Sequence, residues 1–369
     1  MQFTCSTSKL IEALQIVTKA LAGRTTNQIL TGVLIETDSD QLILTCTDER
    51  ITIVTRIPAE ITDSGRGVVT GKLFSETVRN LPGEEVSISM NERGMFILHS
   101  GSYRGEIVGY DPNLFPVLPR VEDEREIALP QDMLRDMIQK TEFAIAQDDM
   151  REMLTGCLLE IGGGDVNMVA LDGFRLAWRR AKCSDVLERI SAIIPGRAVG
   201  DIGKLLSSDE DAFVQLSFGG NKLHIRMENT EIFVILVEGE YVQYRQMIPK
   251  SFNTRIELDL NQFRSCIERA ALNARNGSNN LIILRIEGSK MTVEARSQIS
   301  GGNEEVEIYQ EGADLSIGFN VKYLIDVVRF MDAERIEMNF SSAVSPCVVM
   351  PVGDNDYVQL ILPVRTGAR

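Results

Sequence analysis

The sequence predicts an α+β protein built from three tandem copies of one unit, in which two helices pack on one face of about eight short antiparallel strands. Three observations favour this architecture: one strand is repeated almost unchanged, one charged helix recurs at a fixed step, and one strand–turn–helix segment opens each copy. A chain of 369 residues is too long for one ordinary core, which agrees with several domains.

The repeated strand is ILTGVLIE at residues 29–36, which returns as MLTGCLLE at residues 153–160, 124 residues later. In both copies an aspartate, Asp48 or Asp172, follows the closing glutamate by twelve residues. A weaker third copy, NLIILRIEG, occupies residues 280–288. Alternating apolar residues with Asp, Asn and Gly between the runs predict hairpins.

The orientation of the first copy of this strand is open at the level of sequence. Its core-facing side is either the face with Val33 and Ile35 or the face with Leu34. The strand is predicted to lie in the core of the first domain in both cases.

The charged helix begins with Lys72 and places an acid four residues later and a second base seven residues later. The pattern starts again at Arg197 and at Lys322, a step of 125 residues each time. Positions 0, +4 and +7 fall within about 60° of one another on a helix, so each copy predicts an amphipathic helix with a narrow charged face. The residues predicted to pack inward are Leu73, Phe74, Val78 and Leu81; Ala198, Val199, Ile202 and Leu206; and Tyr323, Leu324, Val327 and Met331.

Each copy opens on a short strand, a cap and a helix, as in FTCSTSKLIEALQIVTKAL, IALPQDMLRDMIQKTEFAI and IELDLNQFRSCIERAALNA. The first two copies end alike, with YDPNLFPVLPR and YVQYRQMIPK. These landmarks predict domains at 1–122, 126–250 and 251–369, with RVEDERE (120–126) as an exposed linker.

Composition favours a soluble, cytoplasmic protein without a metal or another cofactor. The N-terminus lacks the pattern of a signal peptide, and the longest apolar run, IFVILV at 232–237, is far shorter than the ~18 residues that a membrane span needs. The six cysteines are scattered, and only two histidines are present, so neither a disulfide framework nor a zinc site is indicated. We expect buried, reduced thiols.

The net charge of −15 and the pI near 4.8 argue against nucleic-acid binding when taken alone. The six predicted helices, however, carry a net charge of +4, so the remaining residues carry −19. For an isolated helix such a stripe is more often an ordinary solvated face. Repetition at a fixed step favours an arc with mildly basic helices inside and an acidic outer face, which would accept a polyanion in its hole.

Two other classes of protein are alternatives to a protein that encloses nucleic acid. An enzyme could use the recurring aspartates to bind metals, but the third copy has Arg296 and Ser297 in that slot, and the chain has no P-loop, GxSxG or HExxH motif. Aspartate after a strand is most often part of a turn. The second alternative is a repeat-built peptide-binding scaffold that does not bind DNA.

The threefold period, the motifs TGVLIE, TDERI and LDGFRLAW, the junction YRQMIPK, and the segments FNVKYLIDVV and LILPVR together resemble the bacterial DNA polymerase III beta subunit, the sliding clamp. The resemblance covers nearly the whole chain in the family's order. It implies three tandem clamp-type domains, each with two helices on a curved antiparallel sheet, in a head-to-tail dimeric ring whose helices line a hole for duplex DNA. It also implies a processivity subunit for DNA replication with no catalytic site of its own.

The resemblance further implies partners and a peptide-binding cleft between the second and third domains. The partners would be the replicative polymerase alpha subunit, the clamp loader, repair polymerases and other proteins with clamp-binding motifs. Carried over by position, the cleft comprises Leu171, Gly173, Phe174, Arg175, Leu176, Arg151, Met153, Leu154, Val242, Met247, Asn320, Tyr323, Val344, Leu360, Leu362, Pro363, Val364 and Arg365. Arg175 and Arg365 would orient the incoming peptide.

The chain departs from the family at the cleft. It has Leu171 and Phe174 where the family commonly has Thr and then His or Tyr, and Val242-Gln243-Tyr244 where Pro-Asp-Tyr is common. A more apolar cleft, with one or two polar contacts fewer, is therefore expected. The tail Thr366–Arg369 would either cover the mouth of the cleft or be disordered.

Contacts with DNA and with a second copy of the chain rest mainly on the resemblance. The residues expected to face DNA are Arg24, Lys72, Arg197, Arg275 and Lys322. For the dimer, the strand around Arg104–Val108 is expected to pair edge to edge with the 296–308 region of a second chain, with Ile107 and Leu272 as the apolar contact.

Overall fold

The computed structural model describes residues 1–121, 125–183, 189–275 and 280–365. The tail Thr366–Arg369 and part of the predicted linker lie outside the described residues. The chain forms two compact units: Met1–Asp132 with Lys204–Leu236, and Met133–Gly203 with Val237–Arg369. Among the described residues, no helix has both the length and the apolar character needed to cross a membrane.

The helices are α1 (Thr7–Val17), α2 (Gly71–Arg79), α3 (Gln131–Gln139), α4 (Gly196–Leu205), α5 (Tyr244–Met247), α6 (Leu260–Ala274) and α7 (Val321–Arg329). Through the first predicted domain, the strands are β1 (Gln2–Ser6), β2 (Gly32–Asp38), β3 (Gln41–Thr47), β4 (Ile51–Pro58), β5 (Glu60–Asp63), β6 (Arg66–Thr70), β7 (Glu85–Met90), β8 (Met95–Ser100) and β9 (Tyr103–Tyr110). Through the second they are β10 (Arg125–Pro130), β11 (Gly156–Gly162), β12 (Asp165–Leu171), β13 (Arg175–Lys182), β14 (Ile190–Pro195), β15 (Phe213–Gly219), β16 (Lys222–Arg226) and β17 (Thr230–Ile235). Through the third they are β18 (Thr254–Asp259), β19 (Leu281–Glu287), β20 (Lys290–Arg296), β21 (Gly301–Glu307), β22 (Tyr309–Gly312), β23 (Leu315–Asn320), β24 (Arg335–Phe340), β25 (Cys347–Pro351) and β26 (Tyr357–Ile361).

The first unit contains one sheet of 13 strands, in the order β10-β15-β16-β17-β4-β3-β2-β6-β9-β8-β7-β1-β5. Two predicted domains share this sheet, because β17 pairs with β4 in antiparallel register, Thr230 opposite Thr55. The hydroxyls of that pair are 3.0 Å apart and both residues are buried. Consecutive domains are thus joined by main-chain hydrogen bonds between strands.

The second unit contains a sheet of nine strands, β14-β11-β12-β13-β26-β25-β24-β18-β22, and a sheet of four, β21-β20-β19-β23. Here β13 pairs with β26, which repeats the type of junction seen in the first unit. The helices α6 and α7 pack on a core that includes Phe263, Leu324 and Phe340, all of them fully buried.

The α+β architecture with antiparallel sheets is confirmed, and a helix lies in each of the six predicted windows. One inward-facing assignment is wrong. Leu73 is 50% exposed, whereas Phe74 and Val78 are buried. The buried stripe of α2 follows the spacing of these two residues and Gly71, and Leu73 lies about 100° from Phe74 around the helix. The helix α5 falls within a junction that was not predicted to be helical.

The three copies share one hairpin loop of four residues, at Asp48–Ile51, Asp172–Arg175 and Ser297–Ser300. In each loop the first residue's amide donates to the carbonyl of the fourth, and its side chain accepts a hydrogen bond from a later amide of the loop. The second residue is left-handed in the first two copies, with φ of 71° at Glu49 and 86° at Gly173. The aspartates are therefore turn residues, as the sequence indicated.

The repeated strand β2 is covered on both faces, so neither face alone is the core-facing side. Val33, Leu34 and Ile35 are all buried. Leu34 belongs to a small apolar cluster with Ile29, Leu30, Val68 and Phe115. The aromatic residue of the first junction segment thus covers the second face of the strand.

The six cysteines are free, and five of them are buried, as predicted. Burial raises the pKa of the Cys5 thiol to about 12. These thiols pack as small apolar groups.

Candidate partner-binding groove

The candidate groove is built around the loop between β12 and β13. Leu171 pairs with Leu176 at the base of this hairpin, and Asp172 Oδ1 accepts hydrogen bonds from the amides of Phe174 and Arg175 at 3.0 and 3.1 Å. Gly173 supplies the left-handed conformation that closes the turn without a Cβ penalty. The turn holds Phe174 outward, with 57% of its surface exposed.

The C-terminal segment lies beside this loop because β26 pairs with β13, with Leu360 opposite Leu176. Beyond the strand, the Leu362 amide donates to the Phe174 carbonyl at 2.8 Å. The Val364 amide donates to the Gly318 carbonyl, also at 2.8 Å. Hydrogen bonds therefore fix the predicted closing segment against the hairpin loop.

An aromatic and cationic stack connects the loop to α7. The rings of Phe174 and Tyr323 stack with centroids 5.9 Å apart and an interplanar angle of 19°. The guanidinium of Arg175 lies 4.9 Å from the Tyr323 ring and 5.5 Å from the Phe143 ring. Phe143 in turn stacks on Phe330 at 4.8 Å. Such contacts are worth about 0.5–2 kcal/mol each.

The charge of Arg175 is paired inside the protein, and its role in orienting a peptide stays a prediction. Its Nε donates to Asp172 at 2.9 Å, and its Nη1 forms an ion pair with Asp326. Only 13% of its side chain is exposed. Arg175 is therefore a support for the groove. Sequence reasoning missed Asp326 and Phe143 as members of this site.

A buried apolar layer lies under the groove. Leu154, Leu171, Leu176 and Leu360 are at most 3% exposed and pack in one cluster. These four predicted cleft residues form the foundation of the surface and do not face solvent. The other buried members of the cluster are Ala146, Leu158, Val169, Ile193, Tyr241 and Tyr244.

The helix α5 is anchored to the same layer by Tyr244, which sequence reasoning did not assign to the site. The Tyr244 hydroxyl donates to Glu160 at 2.8 Å, and Arg245 contacts the same carboxylate at 2.9 Å. Burial, then this hydrogen bond, raises the pKa of Tyr244, so the phenol stays protonated. This anchoring positions Met247, which is 43% exposed.

The residues carried over to the cleft by position include three exposed apolar side chains. Besides Phe174 and Met247, Val344 is 70% exposed. The predicted residues that are half-buried are Met153, Val242, Tyr323, Leu362, Pro363 and Val364. Partial burial raises the pKa of Tyr323, so its ring also stays neutral.

The remaining predicted cleft residues have local partners or are exposed. Arg151 pairs with Asp149 at 3.0 Å, and hydrogen bonds from Arg151 lower the pKa of that carboxyl. The Asn320 side chain caps α7 by accepting a hydrogen bond from the Lys322 amide at 3.0 Å. Arg365 is exposed.

The basic residues predicted to face DNA are all exposed: Arg24, Lys72, Arg197, Arg275 and Lys322. In α4, Arg197 lies 3.9 Å from Asp201, which is the pairing that the base–acid spacing suggests. In α7 the corresponding acid, Asp326, pairs with Arg175 and not with Lys322. The acid of the charged stripe therefore has a partner on its own helix in α4 and a partner from another element in α7.

The predicted dimer residues require one correction. Ile107 is 6% exposed because it points into its own domain, and Val108 beside it is 66% exposed. Arg104 is exposed and Leu272 is 61% exposed. Ile299, within the predicted 296–308 region but not named individually from the sequence, is 79% exposed and occupies the loop position equivalent to Phe174.

The two strands in question present main-chain edges within the described residues. In β9, Tyr103–Val108 pairs with β8 alone, since β6 reaches only the last two residues of the strand. The strand β21 pairs with β20 and ends its four-stranded sheet. Each strand thus has one side free for pairing with another strand.

Three family models match the chain in succession. They describe the N-terminal, central and C-terminal domains of the DNA polymerase III beta subunit and match residues 1–119, 128–243 and 245–365. The matches define a protein of three tandem clamp domains, and they cover nearly all of the described chain.

Known proteins are similar to this chain along its full length. A beta sliding clamp of Staphylococcus aureus is 32% identical, covering 99% of this chain and 100% of the relative. The crystal structure of the DNA polymerase sliding clamp from Bacillus subtilis superposes with a TM-score of 0.95 at 31% identity, covering 99% of both chains. A DNA polymerase III beta subunit structure from Eubacterium rectale gives 0.94 at 30% identity, covering 99% of this chain and 100% of that one. The chain belongs to the DNA polymerase III beta subunit family, the beta sliding clamps.

Proposed function

We propose that the chain acts in DNA replication as a sliding clamp, a head-to-tail homodimeric ring that encloses duplex DNA and tethers the replicative polymerase. The observation that carries the proposal is the ordered match of all three clamp-domain models. The clamp is a processivity subunit and not a catalyst. Family membership favours this function over a scaffold that does not bind DNA.

DNA is held without regard to sequence. Lys72 on α2, Arg197 on α4 and Lys322 on α7 are exposed, and each stands at the second position of its helix. A few basic residues on a chain of net charge −15 give weak, salt-dependent attraction to phosphates. Weak attraction allows the ring to slide.

Ring closure joins the free side of β9 in one chain to the free side of β21 in the other. Val108 on the first strand, with Leu272 and Ile299 beside the second, supplies exposed apolar surface for this contact. Main-chain hydrogen bonds between edge strands would add to this apolar burial.

Partner proteins dock on the groove around Phe174, Met247 and Val344. The exposed side chains are apolar and the nearby Arg175 is already paired, so the groove selects apolar side chains of an extended peptide. The partners are the polymerase alpha subunit, the clamp loader and repair polymerases. Their order of affinity would follow how well each motif fills an apolar site.

Retention on circular DNA tests the function. The chain is loaded on nicked circular DNA with its clamp loader, and the DNA is then linearised. A ring stays on the circle and leaves through the free ends, whereas an ordinary DNA-binding protein is retained on both forms. Retention on linear DNA, or failure to load on the circle, would contradict the proposal.

A further inference from the structure

The acid in the charged stripe of α7 is used differently from its counterpart in α4. Asp201 is 3.9 Å from Arg197 on its own helix. Asp326 instead pairs with Arg175, which is 151 residues away in the sequence and lies on β13. The exposed fractions of the two side chains, 13% and 26%, place this ion pair in a partly desolvated position.

We propose that Asp326 is a positioning residue of the partner-binding groove, acting through Arg175. This inference rests on the proposed groove. Asp326 would act on the aromatic residues of that groove only through the side chain of Arg175. Asp172 and Asp326 form ion pairs with two different nitrogens of the guanidinium. The guanidinium lies 4.9 Å from the Tyr323 ring, which also stacks with Phe174.

The geometry explains why two carboxylates are needed. Asp172 is in the same hairpin loop as Arg175, so that pair is local and cannot relate the loop to α7. Asp326 lies on α7, the helix that carries Tyr323. The pair between Arg175 and Asp326 therefore fixes the distance between the two rings of the groove, one from each element.

Loss of the Asp326 carboxylate leaves Arg175 partly buried with one partner. The guanidinium then gains by turning toward solvent, which removes its contact with the Tyr323 ring and loosens the Phe174 stack. Peptide binding should weaken although Asp326 does not itself touch the peptide. Because Asp326 pairs with Arg175, it does not pair with Lys322 on the same helix.

The test measures binding of the purified replicative polymerase alpha subunit to the full-length clamp by surface plasmon resonance. The variants are Asp326→Asn, Asp326→Glu, Arg175→Gln and the double variant, with Asp201→Asn as the matched control. We expect about fivefold weaker binding for Asp326→Asn, recovery in Asp326→Glu, and no change in Asp201→Asn. The double variant should bind no more weakly than Arg175→Gln alone.

Phe174→Ser separates this inference from the proposed groove. If Phe174→Ser binds like the unmodified clamp, the polymerase uses another surface and the groove proposal fails. If Phe174→Ser loses binding but Asp326→Asn does not, the groove stands and the role of Asp326 is refuted. Additive losses for Arg175→Gln and Asp326→Asn would also refute it, since residues acting as one unit are not additive.

Discussion

The junction between β4 and β17 offers a prediction whose size follows from the structure. The Glu231 carboxylate on β17 lies 2.9 Å from His224 Nε2 and 2.6 Å from Arg56 Nη1 on β4. Its side chain is 23% exposed, and the His224 ring stacks on Phe233 at 4.1 Å. Glu231→Gln keeps the shape of the side chain and removes the charge that holds both partners.

The contribution of the Glu231 charge to the free energy of unfolding follows from the pKa of this residue. The hydrogen bond with His224, followed by that with Arg56, lowers it from 4.5 to about 2. At 1.36 kcal/mol per pKa unit the upper limit is about 3 kcal/mol, and partial exposure reduces this to about 1–2 kcal/mol. Because the folded pKa is the lower one, this stabilisation is complete above pH 4.5 and is lost as the pH falls toward 2.

The assay compares urea unfolding of the unmodified chain and Glu231→Gln at pH 7, 5 and 3. The free energy of unfolding should differ by about 1–2 kcal/mol at pH 7 and by clearly less at pH 3. Glu305→Gln is the control, because the ion pair of Glu305 with Lys290 is exposed to solvent and should contribute little to stability. Equal stability at pH 7, or a difference that does not shrink on acidification, would refute the reasoning.

Three further predictions concern the groove, the basic helices and the hairpin loops. Phe174→Ala should weaken polymerase binding about tenfold, as an interface anchor does, while Phe213→Ala, equally exposed on β15, should have no effect in the same binding assay. Glutamates are next placed at Lys72, Arg197 and Lys322. This triple variant should leave circular DNA faster than the unmodified chain, and at lower salt concentration. Its polymerase binding should be unchanged. Loss of both DNA retention and polymerase binding would contradict the separation of the two surfaces. Glu49→Gly should stabilise the chain by up to about 1 kcal/mol and Gly173→Ala should destabilise it by a similar amount, because both positions have positive φ; melting temperatures check this.

The elements and the repeat were predictable because they depend on local periodicity. Apolar spacing located the six long helices, and turn chemistry located the loops at Asp48 and Asp172. The failures lie where neighbouring elements decide. Leu73 and Ile107 are both apolar residues in amphipathic elements, yet the first is exposed and the second is buried, and the face of each element that packs on its neighbours decides the difference.

The groove was predictable in outline but not in its internal contacts. A positional resemblance identified Arg175 and Tyr323, yet nothing in the sequence relates Arg175 to Asp326 across 151 residues. The spacing of Asp326 from Lys322 suggests a pair within α7, but in the fold Asp326 pairs with Arg175 of β13. Long-range ion pairs of this kind depend on strand pairing such as that of β13 with β26.

The central claim is that two copies of this chain form a closed ring around DNA. Native mass spectrometry at micromolar concentration tests the assembly directly, with Val108→Glu on the free side of β9 as the matched variant. The account predicts a dimer for the unmodified chain, at twice 41.1 kDa, and a folded monomer for the variant. A monomer for the unmodified chain, or a dimer that Val108→Glu leaves intact, would contradict it.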